Sequence, residues 1–400
     1  MKISKSSINF IDEITNNFNI VENKKNINPI YKCLFNEINI ANNDFLNANI
    51  TYEMKKINNV NKIPMPQTIS EHFFPKNIQK NIKEKSNYKI SVKFKISGIS
   101  FSIHFICLFN NFDVKKYTQY IYSWLSIVIG HKTKNCGNKM NILIYLSDEK
   151  KKFPKKENDV LDCININSAY TTCCSEDNEI VIFRKEEWFK VFMHETFHAF
   201  GLDFCAIDDD TTANKIKLTF PINSDINLTE SYCEFWAETF NMLFVSYFTE
   251  QKKLITFETF MYNVKYLSAI EKTFSIIQMI KVLEFMNLTY KDLYADNEIS
   301  TFKRNFFYKE NTSVFSYYII KCILMFNMED FILWCNDNNL SLLNFYKNKT
   351  TINKYIQFIK DKYNNRAFLR FVKENTEIFK NNYEKNNFYN SAKMSLLEIN

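Results

Sequence analysis

Residues 88 to 109 alternate apolar and polar side chains with a period of two. Ile90, Val92, Phe94 and Ile96 fall on one side, Ser97-Gly98 interrupt, and Ile99, Phe101, Ile103 and Phe105 resume the alternation. This pattern predicts a β-hairpin with one buried face. The period then changes. From Asp113 to about Ile129 the apolar residues Val114, Tyr117, Tyr120, Ile121, Trp124, Leu125 and Val128 recur at intervals of three and four, and Gly130 closes the run. A helix ended by a glycine is predicted there.

Further on, Met140 to Leu146 (MNILIYL) and Glu179 to Phe183 (EIVIF) read as short strands. Glu186 and Glu187 open a helix, where negative charge suits the first-turn dipole, and it runs through Phe200 to Gly201. Another helix covers about Thr229 to Phe248, with Tyr232, Phe235, Trp236, Phe240, Leu243 and Tyr247 as its apolar stripe. From Thr256 to about Phe379 helical patterns succeed one another without a detectable repeat. Residues 1 to 86 are rich in Asn and Lys, carry Pro29, Pro64, Pro66 and Pro75, and read as a partly flexible extension with local helices. The predicted class is α+β: a small mixed sheet with its helices over residues 87 to 250, then a mainly α-helical C-terminal domain over 251 to 400.

Composition narrows the function. With 46% hydrophobic residues, 39 Phe and 22 Tyr, the chain is far from the aromatic-poor profile of disordered proteins. A net charge of +7 from 51 basic and 44 acidic residues is diffuse, so nucleic acid is not expected as a partner. The densest basic run, Lys150, Lys151, Lys152, Lys155 and Lys156 around Pro154, reads as a solvated loop. The start, MKISKSSINFIDEITNNF, has no secretory apolar region, and the greasy stretch Phe315 to Cys335 is broken by Lys321, Glu329 and Asp330. A cytoplasmic, unsecreted protein without a membrane span is expected. Its ten cysteines contain no C-x-x-C pair and are expected to be mostly reduced, partly buried thiols.

The chemistry concentrates in His194-Glu195-Thr-Phe-His198. Two histidines four apart on a helix project from one face, close enough to bind one Zn²⁺ ion, and a glutamate beside the first reaches the metal-bound water. The metal lowers that water's pKa to roughly 7 while Glu195 acts as general base and returns the proton to the leaving amine. With only five histidines (His72, His104, His131, His194, His198), chance produces the motif on the order of once in a few hundred such chains.

A catalytic zinc site needs a third protein ligand. Phe204 stands where a third histidine of the extended His-Glu-x-x-His-x-x-Gly-x-x-His pattern would be, and Gly201 is better read as ending the helix. Downstream, Glu-Ser-Tyr-Cys-Glu-Phe-Trp-Ala-Glu offers Glu230, Glu234 and Glu238, with Asp203 and Cys205 as outsiders. Asp203 is expected in a loop hydrogen bond, and Asp208 to Asp210 in a solvated turn. An active-site helix followed by a helix bearing Glu-x-x-x-Asp/Glu resembles the gluzincin branch of the zincin metallopeptidases. That resemblance implies Glu234 as the ligand and Glu238 as the partner that steadies a ligating histidine. It also implies an exposed edge strand on which an extended peptide substrate adds, here Ile180, Val181 and Ile182 of EIVIF. For the oxyanion, Tyr232 and His131 come into view, but a core position suits Tyr232 and a loop suits His131.

Over about residues 165 to 248 the wording NSAYTTCC, EIVIFRKEEWFKVFMHETFHAFGLDF and ESYCEFWAETFN is similar to metallopeptidases of large nucleocytoplasmic DNA viruses. This implies action in infected-cell cytoplasm or the virion. The expectation is a zinc metalloendopeptidase with one Zn²⁺ ion acting on a protein or peptide. The alternative is a zinc-binding structural or regulatory protein with little activity.

Overall fold

The computed structural model describes residues 27–59, 62–68, 70–109, 112–207, 210–249, 255–382 and 390–398. Helix α1 (Asn28–Asn47) leads into strand β1 (Thr51–Lys56), α2 (Lys76–Lys85) and the hairpin β2 (Tyr88–Ile96) and β3 (Ile99–Cys107). Ser97 and Gly98 both take positive φ at its turn, 49° and 83°, the conformation that matches the twist of paired strands. Then come α3 (Val114–Ile129), β4 (Lys139–Tyr145), β5 (Leu161–Asp162), the single turn α4 (Cys163–Ile166), β6 (Ala169–Thr171), β7 (Asp177–Ile182) and α5 (Trp188–Ala199).

The six-stranded mixed sheet has the order β1-β2-β3-β4-β7-β6. β2 pairs antiparallel with β1 and β3, β4 runs parallel to β3 and β7, and β6 is antiparallel to β7. One face carries Ile90, Val92, Phe101, Ile103, Ile142 and Ile180 into the main core with α3 and α5. The other face buries Ile106, Leu143, Tyr145, Val181 and Phe183 under Phe74, Ile78 and Ile82. Covered on both faces, β4 and β7 read as continuous apolar runs, whereas the hairpin alternates. EIVIF is therefore interior, between β4 and β6, with Ile180, Val181 and Ile182 all 0% exposed. The sheet ends instead at β1 and β6, which corrects the expectation that Ile180, Val181 and Ile182 offer an edge to substrate.

After α5 the chain is helical: α6 (Asp210–Lys217), α7 (Leu228–Phe248), α8 (Phe257–Phe285), α9 (Glu298–Phe307), a π-helical stretch Phe315–Ile320 continued by α10 (Lys321–Phe326), α11 (Met328–Asn338), α12 (Lys349–Lys362) and α13 (Arg366–Asn382). A short strand β8 (Glu310–Asn311) pairs with β5. The class is thus α+β, with a mixed sheet and a largely helical C-terminal region. α1 packs its Tyr31, Leu34, Phe35 and Ile38 into the same core as the sheet and the later helices. The start of the chain and Asp208 and Asp209 of the expected solvated turn lie outside the described residues, and Asp210 is the first residue of α6.

Buried charge is unusually dense between the sheet layer and the helices. Lys151, placed in the solvated lysine loop by sequence, is 2% exposed and pairs with Glu187 at 3.0 Å. Glu187, in the left-handed region at φ 56° before α5, accepts the amides of Met394 (3.0 Å) and Ser395 (2.6 Å). Glu271 of α8 accepts those of Leu396 (3.0 Å) and Leu397 (2.9 Å). The segment 391–398 is thereby threaded into the core, with Ser395 and Leu396 0% exposed. Burial opposes the charge on Glu187, yet Lys151, Lys190 and Lys393 outweigh it and bring that carboxyl down to about 2. Among the described residues no helix is long and apolar enough to cross a membrane. Six cysteines are free thiols as expected, Cys107, Cys163, Cys233, Cys322 and Cys335 buried and Cys33 exposed, while the other four pair as Cys136–Cys174 and Cys173–Cys205.

Candidate metal centre

Helix α5 lies between the sheet, α3 and α7, so almost all of it is buried. Trp188 stacks on Tyr117 at 4.5 Å, and Trp124 donates its Nε1–H to Thr196 Oγ1 at 2.8 Å, which fixes the helix against α3. Its end is a Schellman turn. Gly201 takes φ 58°, its amide bonds His198 O at 3.0 Å, and Leu202 N bonds Phe197 O at 2.8 Å. A Cβ at Gly201 would stand 2.8 Å from Cys136 Sγ, so the position demands glycine twice over. The turn brings Asp203 back under His198.

His194 and His198, one turn apart, direct Nε2 atoms toward each other at 3.2 Å. Glu230, from the first turn of α7, places Oε2 3.0 Å from His194 Nε2 and 3.5 Å from His198 Nε2. Tyr317, in the π-helical stretch, donates its O–H to the same Oε2 at 2.8 Å. Ligand atoms around a tetrahedral zinc at 2.0–2.2 Å lie roughly 3.3–3.5 Å apart, close to this triangle.

The outer nitrogens are held by carboxylates. His198 Nδ1 hydrogen-bonds Asp203 Oδ2, and His194 Nδ1 lies 3.0 Å from Glu234 Oε2, off the line of an N–H donor. Glu234 is itself paired with the buried Lys190. With the His198 Nδ1 proton on Asp203 and the Glu234 carboxylate beside His194 Nδ1, the two Nε2 atoms are left to present lone pairs. Two lone pairs and a carboxylate oxygen then converge with, among the described residues, only Tyr317 as a donor. Such a cluster requires a cation or added protons. Burial works against charged imidazoles here, yet Glu230 and Glu234 outweigh it and push His194 up to about 9. His198 likewise rises well above its ordinary value against burial, through Cys233, Asp203 and Glu230. The donor set therefore suits a divalent ion, whose binding displaces protons.

Glu195 is 7% exposed, and burial pushes its carboxyl upward, partly opposed by His194 and His198. A carboxyl whose proton affinity is raised above the ordinary value suits the part of a general base.

The two helices expected to build the site do meet, but the carboxylate beside the paired Nε2 atoms is Glu230, one turn before the expected Glu234. Glu234 faces Nδ1 rather than Nε2, and Glu238 meets no histidine: it pairs with Lys321 at 2.7 Å in a site 0% exposed. Each four-residue step advances about 6 Å along α7, so only one turn can face the paired Nε2 atoms. Asp203, expected in a loop hydrogen bond, accepts Cys205 N at 3.1 Å besides holding His198. Cys205 is in the disulfide to Cys173. Tyr232 is core, donating to Leu343 O at 2.9 Å, and His131 bonds Ser341 Oγ at 2.7 Å. Tyr317 was missed; no motif marks it, and it meets Glu230 across 87 residues of chain. A second acceptor group, His198, Asp203 and Cys233, shares His198. It uses the nitrogen Asp203 already occupies, and burial pushes the Cys233 thiol well up, so it reads as support for the ring.

The chain matches no protein-family model, no curated protein and no solved structure.

Proposed function

We propose that the chain is a zinc-dependent metalloendopeptidase of gluzincin type, with His194, His198 and Glu230 as metal ligands and Glu195 as general base. The observation that carries this reading is the convergence of the two Nε2 atoms and Glu230 Oε2 within 3.0–3.5 Å, one residue from a carboxylate whose proton affinity burial raises. A bound zinc ion would polarise a substrate carbonyl and acidify a water. Glu195 takes the proton from the attacking water and delivers it to the departing amine nitrogen. Glu234 and Asp203 keep the imidazoles oriented, and Lys190 holds Glu234 ionised against its burial. An extended peptide adding to the sheet beside α5 would use the outer side of β6, which packs against that helix.

A second reading, a zinc-binding structural or regulatory protein, draws on enclosure. His194 and Glu195 are 6% and 7% exposed, and the Glu230 side chain 17%, so a peptide backbone reaches the centre only after the surrounding elements part.

The two separate cleanly. Zinc content is measured for the native chain and His198→Ala, and cleavage of a peptide library for the native chain and Glu195→Gln. Zinc with Glu195-dependent cleavage supports the peptidase. Zinc without cleavage supports the second reading, and no stoichiometric zinc refutes both.

A further inference from the structure

A second group of metal-binding side chains lies away from the His194 centre, where three distant segments meet. Cys163, the first residue of α4, places Sγ 3.4 Å from His72 Nε2 and 3.8 Å from Asn311 O of β8. Asp162 precedes it, with Oδ1 accepting Cys163 N at 2.6 Å and Asn311 Nδ2 at 3.4 Å. One ligand atom from each of His72, Asp162 and Cys163 falls within 4.8 Å of the others. We propose that His72, Asp162 and Cys163 form a second divalent-metal site, suited to zinc, with a fourth position open to water.

Three features carry it. The spacing fits: with Zn–S near 2.3 Å and Zn–N near 2.0–2.1 Å, tetrahedral sulfur and nitrogen ligands sit roughly 3.5 Å apart. The charge fits, because a thiolate and a carboxylate together neutralise a divalent ion, and thiolate with imidazole selects zinc-class metals over magnesium or calcium. The access fits as well. Cys163 is 1% exposed whereas His72 is an exposed ring, so an ion can arrive from the His72 side while a substrate carbonyl cannot reach the sulfur. That geometry separates a metal site from a nucleophilic Cys–His pair. On binding, the S–H bond gives way to a metal–sulfur bond and the thiol proton leaves to solvent.

The site would act as a clamp. His72 and Cys163 are 91 residues apart, and Asn311 is 148 beyond Cys163. The His72 segment also borders β6, where Tyr170 donates to Thr68 O at 2.9 Å and stacks on Phe73. Metal at Cys163 would therefore fix the segment alongside β6, which also packs against α5.

Cobalt(II) distinguishes this site from the first, since only a thiolate ligand produces the near-ultraviolet sulfur-to-cobalt charge-transfer band. The full-length chain carrying His198→Ala, which removes the first centre, is titrated with cobalt alone. The band is expected with His198→Ala and again when Cys233→Ser is added, and it disappears on adding Cys163→Ser. His72→Ala, an exposed substitution that spares the core, should weaken cobalt binding by more than about 100-fold, beyond the loss of a mere supporting partner. It should also abolish the rise in melting temperature that zinc produces. A band that survives Cys163→Ser, or no band in the His198→Ala chain, overturns the proposal and leaves the first centre untouched.

Discussion

Glu230 and Glu234 occupy successive turns of α7 and face opposite nitrogens of His194, so neutralising each in turn separates a ligand from a ligand's support. In Glu234→Gln the amide oxygen can still face Nδ1, but the negative charge shared with Lys190 is gone. Loss of such outer support weakens metal binding by about 10–100-fold, or about 1.4–2.8 kcal/mol. The same substitution leaves Lys190, 1% exposed, with Glu187 Oε1 at 3.9 Å as its nearest remaining carboxylate. A buried charge deprived of its partner costs about 3–5 kcal/mol, so the melting temperature should fall as well. Glu230→Gln removes one of three converging donors and weakens zinc by more than about 100-fold; in the apo chain it also takes the carboxylate from Tyr317 and the two imidazoles, so its melting temperature falls too. Competition against a chromogenic chelator in metal-free buffer gives the affinities, and thermal unfolding of the apo proteins gives the stabilities. If Glu234→Gln weakens zinc more than Glu230→Gln does, the assignment of the two carboxylates is reversed and the reasoning fails.

Other consequences follow from burial and charge. Burial raises the Glu310 carboxyl from its ordinary 4.5 to about 7, so the folded chain holds a proton there that the unfolded chain releases. Its stabilising contribution is complete below about pH 4.5 and is lost as pH rises through about 7; Glu310→Gln should flatten that part of the melting profile, and an unchanged slope would contradict it. Leu396→Ala, at a position 0% exposed, should cost about 2–5 kcal/mol in denaturant unfolding if the threaded segment is part of the core. Thr196→Val removes the acceptor for the buried Trp124 Nε1–H and should cost about 1–3 kcal/mol, with Thr196→Ser losing less.

Much of this architecture is legible in sequence because it rests on local period. The hairpin alternates, and all of Ile90, Val92, Phe94, Ile96, Ile99, Phe101, Ile103 and Phe105 are buried as the alternation requires. The helix from Val114 begins after Asp113, whose carboxylate accepts Lys116 N at 3.0 Å, and ends at Gly130. Local period says less where an element is buried all round. α7 is apolar or buried on every face, so its pattern cannot show which of three equally spaced glutamates meets α5. Likewise β7 reads the same as a core or an edge strand until its neighbour β6, only three residues long, is seen to pair with it. Tyr317, the Glu187 and Glu271 cradle and the pairing of Lys151 depend on contacts between remote segments, which no spacing encodes. The motif His194-Glu195-x-x-His198 was visible at once because its chemistry is confined to one turn of helix.

The central claim is that His194, His198 and Glu230 together hold one metal ion. Anomalous diffraction at the zinc absorption edge, from crystals of the Cys163→Ser chain grown with zinc, tests it most directly. The account predicts a single strong peak between helices α5 and α7, at about 2.0–2.2 Å from both Nε2 atoms and a Glu230 oxygen. A peak coordinated by Glu234 instead, or no peak between those helices, would contradict it.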